Sequence, residues 1–163
     1  MVLLIMKIMF KNIEQVHISS RVHASPETVL DRVSRLDGVN QELWPVMKMT
    51  WPREADGRSL FEAPLNQPLF RSWLLLFGVL PVDFDDIALA SVDPSSGFVE
   101  SSTMMSMRTW RHERRVTKLP DGGARVSDTL TFTPRIPGTG AVLAAIVSAL
   151  FHHRHRRLAR LFH

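Results

Sequence analysis

Three residues near the end of the chain combine types and spacing that could do chemistry: His112, Arg114 and Asp128, all within RTWRHERRVTKLPDGGARVSDTLTFTPR (108–135). A histidine can act as general base near neutral pH. The planar fork of an arginine suits a carboxylate or enolate oxygen. The segment reads as a hairpin in which Pro120, Asp121 and Gly122 form a three-residue loop, a type I turn followed by a left-handed glycine. That loop pairs Trp110 with Phe132, His112 with Leu130, Arg114 with Asp128 and Val116 with Val126. The opposite face pairs Arg111 with Thr131, Glu113 with Thr129 and Arg115 with Ser127. A slip of one residue would set Leu130 against Glu113 and mix the two faces, so this register is favoured. His112, Arg114 and Asp128 then share an otherwise apolar face. Burying either charge alone costs several kcal/mol, which predicts that Arg114 and Asp128 are paired.

Two readings of that pair stay open: a structural ion pair, or a polar anchor for a ligand. His112 is a candidate base or an ordinary core histidine, since no second catalytic partner is evident. No catalytic residue is assigned; His112, Arg114 and Asp128 are the candidates. Trp73, Trp110, Phe132, Met104, Met105 and Met107 are either core or the wall of a pocket, and methionine-rich walls adapt to varied ligands.

The tail HHRHRR (152–157) places His152 and His155 one helical turn apart, but no nearby carboxylate or cysteine completes a metal site, so no metal is expected. A basic helix end complements the negative end of the helix dipole and is easily solvated. Weak contact with anionic lipid through Arg154, Arg156, Arg157 and Arg160 is the alternative use. Nucleic acid is not expected, because the aromatic groups lie on core-like faces. The acids of DFDD (83–86) read as a solvated strand start. GTG (138–140) lacks the lysine of a phosphate loop and the spacing of a dinucleotide motif, and no cofactor is expected.

These residues must be positioned by a chain of 163 residues with 45% hydrophobic and 22% charged content, which suits one domain with one core. The absence of cysteine excludes disulfides and thiolate chemistry, and the absence of tyrosine excludes a phenolic acid. The net charge of +4 belongs to the tail, because no acidic residue follows Asp128. The opening MVLLIMKIMF has no basic region before its short apolar run, which reads against a signal peptide. Residues 1–12 read as an N-terminal extension and 13–163 as a single domain. No apolar run approaches the ~18–20 residues of a membrane span, so the chain reads as soluble and cytoplasmic.

Alternation in EQVHISSRVHA (14–24) predicts a strand. Ser25 and Pro26 then open a helix over 26–36, which the DG at 37–38 breaks before a second short helix at 39–43. MKMTWP resumes an extended run, and DGRSLFEA (56–63) reads as a turn and a strand. Periodicity does not separate helix from strand over PLFRSWLLLFGVLP (68–81). Two strands joined by DPSSG (93–97) follow, then the hairpin, then a long helix over 141–162. That helix carries an apolar stripe of Leu143, Val147, Leu150, Phe151, Leu158, Leu161 and Phe162.

This order of elements resembles the START-related, polyketide cyclase/dehydrase-like (SRPBCC) superfamily. The resemblance is carried by ISSRVHASPETVLDRVSRL, by MRTWRHERRVTKLPDGGARVSDTLTFTP and by the terminal helix. It implies an α+β helix-grip fold, a curved antiparallel sheet wrapped around the C-terminal helix with a cavity between them. Leu143, Val147 and Leu150 would face Trp110, Leu130 and Phe132 across that cavity. Arg114, Asp128, His112 and Met105 would contribute to its lining, and Trp73 would form one lip. Members of the superfamily bind lipids, sterols, polyketides or other hydrophobic molecules, and only some are enzymes. Three functions are therefore weighed: a carrier of a small hydrophobic ligand; a cyclase-like enzyme with His112 as base and Arg114 as oxyanion stabiliser; and a membrane-peripheral protein. Oligomeric state is not legible in the sequence.

Overall fold

The computed structural model describes residues 12–163, so the expected extension over 1–12 lies outside the described residues apart from Asn12. Alternation gives β1 (Glu14–Val22), with Val16, Ile18 and Val22 buried. Ser25 caps α1 (Pro26–Val33), its Oγ accepting from the Thr28 N–H, and Pro26 occupies the first turn, where no N–H is needed. The helix stops before the expected DG. Ser34 Oγ–H returns to the Asp31 carbonyl, Arg35 adopts extended backbone, and α2 (Leu36–Leu43) begins. Gly38 lies inside α2. A side chain there would strike the Arg32 carbonyl, so this glycine permits the close approach of two helices rather than breaking one.

A short β2 (Met47–Met49) follows. The strand expected in DGRSLFEA is absent. Two single 3-10 turns, Arg53–Ala55 and Leu60–Glu62, stand there instead. The second is pinned to the end of α1 by Leu60 N–H to the Ser34 carbonyl (2.7 Å) and Ser59 Oγ–H to Ser34 Oγ (3.0 Å). The ambiguous apolar run becomes β3 (Pro68–Leu76) and the start of β4 (Leu80–Asp93), turning at Phe77 and Gly78 with φ of 52° and 75°. Then come β5 (Gly97–Met104), β6 (Met107–Lys118), β7 (Ala124–Pro134) and α3 (Gly140–Leu161).

The seven strands form one antiparallel sheet in the order β1-β7-β6-β5-β4-β3-β2. The β6–β7 register is the one the loop dictates, with Trp110 opposite Phe132, His112 opposite Leu130 and Arg114 opposite Asp128. Leu119 and Gly123 close the loop, and Gly122 has the left-handed φ of 86°.

The sheet curls round α3, which rests on β1, β7 and α2. The architecture is an α+β helix grip. Val16, Ile18, Trp110, Leu130 and Phe132 meet Val147 and Phe151 in one apolar layer. Val22, Val29, Val33, Val116 and Val126 meet Leu158 in another. Each such side chain contributes roughly 1.5–3 kcal/mol on burial. Between these layers α3 presents Arg154 and His155, both buried, to the charged face of the β6–β7 hairpin. Among the described residues no helix is long and apolar enough to cross a membrane.

Candidate functional site

Asp128 lies at the centre of that middle layer, fully buried, and four N–H groups point at it. Arg114 Nε and Nη2 donate to its two oxygens at 2.8 and 2.7 Å. His112 Nε2 and His155 Nε2 each approach at 2.9 Å. Arg114 Nη1 turns the other way and donates to both oxygens of Glu42 at 2.8 and 3.0 Å. Arg154 reaches the same carboxylate from α3, with Nη2 at 3.0 Å from Glu42 Oε2. His155 Nδ1 meets the Ser20 hydroxyl at 2.7 Å. His112 Nδ1 stands 3.6 Å from Glu100 Oε2, an ion-pair distance rather than a hydrogen bond.

Burial opposes every charge in this layer, and the partners outweigh it in most. Arg114 and His112 hold Asp128 well below the usual carboxylate range despite its burial. Glu42 is likewise lowered against its burial by Arg114 and Arg154. The His112 imidazole is raised, because Asp128 and Glu100 together overcome desolvation. Arg154 is the exception, lowered by burial more than Glu42 restores. Three carboxylates (Glu42, Glu100 and Asp128) thus face two guanidinium groups (Arg114 and Arg154) and the His112 imidazole, which they bias toward its protonated form.

Beside this layer the sheet curves away from α3 and leaves a cavity of about 280 Å³. Its walls are Leu43, Met47, Leu74, Met107, Trp110 and Leu150, with the half-exposed Val82 and Ile146 at its rim. An apolar cavity of about 150 Å³ holds one benzene ring, so this volume suits roughly two fused rings. A few polar groups border it, among them Asp83, Asp85, Glu100 and His112. Asp83 accepts hydrogen bonds from the N–H and hydroxyl of Ser106. Asp85 is 4% exposed, and its Oδ1 has no hydrogen-bond partner among the described residues. Burial, and then the neighbouring Glu100, push the Asp85 carboxyl well above its ordinary pKa. Glu100 remains lowered despite burial, held down by His112 and by the Asp85 carboxyl and Ser102 hydroxyl beside it. Glu100, His112 and Arg154 also border a smaller hollow of about 50 Å³ next to Trp51 and Phe98.

The structure brings some of the sequence-selected residues to the cavity and not others. Trp110, His112, Leu143, Val147 and Leu150 border it. Arg114 and Asp128 lie in the charged layer, fully buried and away from its wall. Leu130 and Phe132 are also fully buried, but in the apolar core with Val147 and Phe151 rather than at the cavity wall. Trp73 is not a lip: alternation turns it to the outer face of β3, where its ring meets Phe84 edge-on at 5.5 Å. Met105 sits exposed in the β5–β6 turn, while Met104 and Met107 on either side point inward.

Two further expectations are corrected. Arg154 belongs to the interior, not to a solvated basic helix end, which leaves Arg156, Arg157 and Arg160. Asp85 is buried, so DFDD is not simply a solvated strand start. His155 is committed to Asp128 and Ser20, while the exposed His152 bonds its own helix at the Ser148 carbonyl. Glu42, Asp85, Glu100 and Arg154 were not singled out as site residues from the sequence. The available signal was periodicity: Glu42 follows Val39 by three residues, and Arg154 stands between Phe151 and Leu158 at helical spacing. Glu100 likewise alternates with Phe98 and Ser102 on the buried face of β5.

Solved structures share this fold at low sequence identity. The protein CV1439 from Chromobacterium violaceum superposes with a TM-score of 0.69 at 13% identity, over 91% of this chain and 96% of its own. A START superfamily protein from Mycobacterium smegmatis gives 0.65 at 13% identity, over 91% and 96%. The Zhui aromatase/cyclase from Streptomyces sp. R1128 gives 0.67 at 13% identity, over 90% and 92%. No curated protein matches the chain. The chain therefore shares its helix-grip fold with a START superfamily protein and an aromatase/cyclase, and at this identity the likeness extends to the fold alone. A family model described as a domain of unknown function, DUF8410, matches residues 20–162, and the chain belongs to that family.

Proposed function

We propose that this protein binds one small hydrophobic molecule in the cavity between the sheet and α3. The observation that carries this reading is the cavity itself. Protein interiors normally close to crystal-like packing, yet about 280 Å³ stays open here behind an almost wholly apolar wall. The shared fold of a START superfamily protein and an aromatase/cyclase supports a ligand-holding role. Between carrier and cyclase-like enzyme, the geometry favours the carrier. Arg114 is enclosed by Asp128 and Glu42 and does not border the cavity, so it is not placed to stabilise an oxyanion there. His112 borders the cavity, but its neighbours favour the protonated form and Nε2 is engaged with Asp128, which disfavours a general base.

The test is titration with a neutral apolar fluorophore of two fused rings such as 1-naphthylamine, which is uncharged at neutral pH. Saturable binding with stoichiometry near one is expected. Leu143→Trp, which fills the cavity from α3, is expected to abolish it while circular dichroism and the unfolding midpoint stay close to those of the parent. Non-saturable binding, or binding indifferent to Leu143→Trp, would contradict the reading.

A further inference from the structure

Exposed apolar side chains gather at one end of this protein. Phe77, Val79 and Leu80 at the β3–β4 turn are each more than half exposed, as are Ile136, Val142 and Ile146 around the start of α3. Leu76 pairs with Leu80, β5 turns into β6 at Met105 and Ser106, and β7 ends at Pro134. These connections therefore share one end of the sheet, opposite the loop that joins Lys118 to Ala124. The cavity opens at the same end, since Val82 and Ile146 form its rim. Apolar residues scattered singly over a surface mean little, but a contiguous group of them marks an interaction site. Charge narrows the choice of partner. Residues 72–82, 104–110 and 135–151 contain no acidic residue, and their only charged groups are Arg108 and Arg135, both exposed. The exposed Lys48 lies beside Gly78, and the half-exposed Trp44 ring packs against that glycine. Asp83, the acid at the cavity border, is engaged by the N–H and hydroxyl of Ser106. Shape narrows it further. Phe77 and Gly78 both have left-handed backbone, so the turn is tight and its apolar side chains splay around a narrow tip. A protein partner would meet one face of such a tip, whereas hydrocarbon solvates all of it.

We propose that this end of the molecule docks on an anionic phospholipid bilayer, with the β3–β4 tip among the acyl chains. Lys48, Arg108 and Arg135 then meet the headgroups, and Trp44 takes the interfacial position that tryptophan favours. Elements that lie in a membrane interface reach about 5–10 Å below the headgroups, enough to cover a hairpin tip. In that pose the rim at Val82 and Ile146 faces hydrocarbon, and an apolar ligand passes between bilayer and cavity without crossing water. This consequence for ligand exchange rests on the reading of the cavity as a ligand site, whereas the docking itself does not. The surface is also distinct from the arginine-rich end of α3. Arg156 and Arg160 stand about 15–20 Å beyond Ile146 along the helix axis. That exceeds the screening length of about 8 Å at physiological salt, so they contribute little to a bilayer held at the tip.

The experiment is co-sedimentation of the full chain with sucrose-loaded vesicles of phosphatidylcholine containing one quarter phosphatidylserine. Saturable binding is expected, and about tenfold weaker binding to vesicles of phosphatidylcholine alone. Val79→Ser combined with Leu80→Ser should weaken binding at least about tenfold while the unfolding midpoint stays near that of the parent. Arg156→Gln combined with Arg160→Gln should change it by less than about twofold. The chain has no cysteine, so Leu80→Cys and Thr117→Cys each accept a single nitrobenzoxadiazole label. Thr117 is exposed near the opposite end of the sheet. Anionic vesicles should brighten the label at Leu80 and leave the label at Thr117 unchanged. No binding to anionic vesicles, equal binding to neutral ones, or brightening at Thr117 instead of Leu80 would each overturn the docking. So would a loss caused by the arginine pair rather than by the tip pair. A dimer that the tip variant dissolves, with no vesicle binding by either protein, would overturn it in favour of an interface between two copies. None of these results bears on the naphthylamine titration, whose failure would end the cavity reading and leave the docking standing.

Discussion

Two groups of polar side chains are buried in this protein, and they are completed to different degrees. Around Arg114, guanidinium, carboxylate and imidazole are matched at 2.7–3.1 Å, between two apolar layers and largely sealed from solvent. Around Asp85, which borders the cavity, one carboxyl oxygen and the hydroxyl of its fully buried strand partner Ser72 stay unmatched among the described residues. The first group joins four parts of the fold: β6 and β7 through Arg114 and Asp128, α2 through Glu42, and α3 through Arg154 and His155. It fixes how helices and sheet dock, since a shift of α3 by one residue would move Arg154 and His155 away from both acids. The second group joins only the neighbouring strands β3 and β4 and is left incomplete.

The sharpest way to break this contrast is at Asp128. Asp128→Asn leaves Arg114 and His112 buried without their common anion and is expected to destabilise by about 3–5 kcal/mol. Denaturant melting checks it. A loss of about 1 kcal/mol or less, the scale of an exposed pair, would mean that the layer is open to water.

Arg154 comes next in size. Arg154→Gln deprives Glu42 of one of two cations and is expected to cost about 1.5–3 kcal/mol, the worth of a hydrogen bond to a charged group. Arg156→Gln, at an exposed position two residues on, should stay within about 0.5 kcal/mol. Equal effects would return Arg154 to the solvated helix end that the sequence suggests.

The contrast between those two arginines shows what was legible and what was not. The β6–β7 register followed from one loop and one clean alternation, because a hairpin's pairing is local and a slip has a visible penalty. The partnership of Arg114 and Asp128 came with it. Glu42 and Arg154 were hidden because charge was read as exposure, while their helical spacing placed them among Val39, Leu43, Phe151 and Leu158. Their burial depends on partners 72 and 112 residues away in the chain, which no local pattern reveals. Trp73 failed for a different reason. An apolar run with residues on both faces has no period to say which face is inside, and the turn at Phe77 and Gly78 decides it only once β3 is paired with β4. The cavity itself arises because α3 covers β1 and β7 more closely than it covers β3 to β5, a tertiary outcome.

Stability against pH separates the two groups with a smaller effect. Asp128 and Glu42 are lowered, so their contribution is present above the ordinary carboxylate range of about 4 and is lost as pH falls through their folded values. His112 is raised, so its contribution is full below about 6.5 and is lost as pH rises through its folded value. The charged layer is therefore expected to be firmest in mild acid, between these limits. His112→Gln should lower stability there by about 1 kcal/mol and flatten the decline toward alkaline pH, as read from unfolding midpoints across pH 5–9.

The smallest effect is expected at Asp85, and its sign is the informative part. Burial and Glu100 raise the Asp85 carboxyl well above its ordinary value. Between about pH 4 and that raised value, the native chain holds a proton that the unfolded chain has released, so this group makes stability fall as pH rises. Asparagine has no such proton to lose, yet it keeps the shape and polarity of the protonated carboxyl. Near pH 3, below the ordinary carboxylate value of about 4, the parent is largely protonated in both states and Asp85→Asn should be neutral within about 0.5 kcal/mol. At pH 7 it should be the more stable protein, by about 1 kcal/mol or less. Midpoints of denaturant unfolding at the two pH values check both statements. A loss at pH 7 comparable to that of Asp128→Asn would show an anion at Asp85 matched as fully as the one at Asp128, and the distinction between a finished and an unfinished group would not survive it.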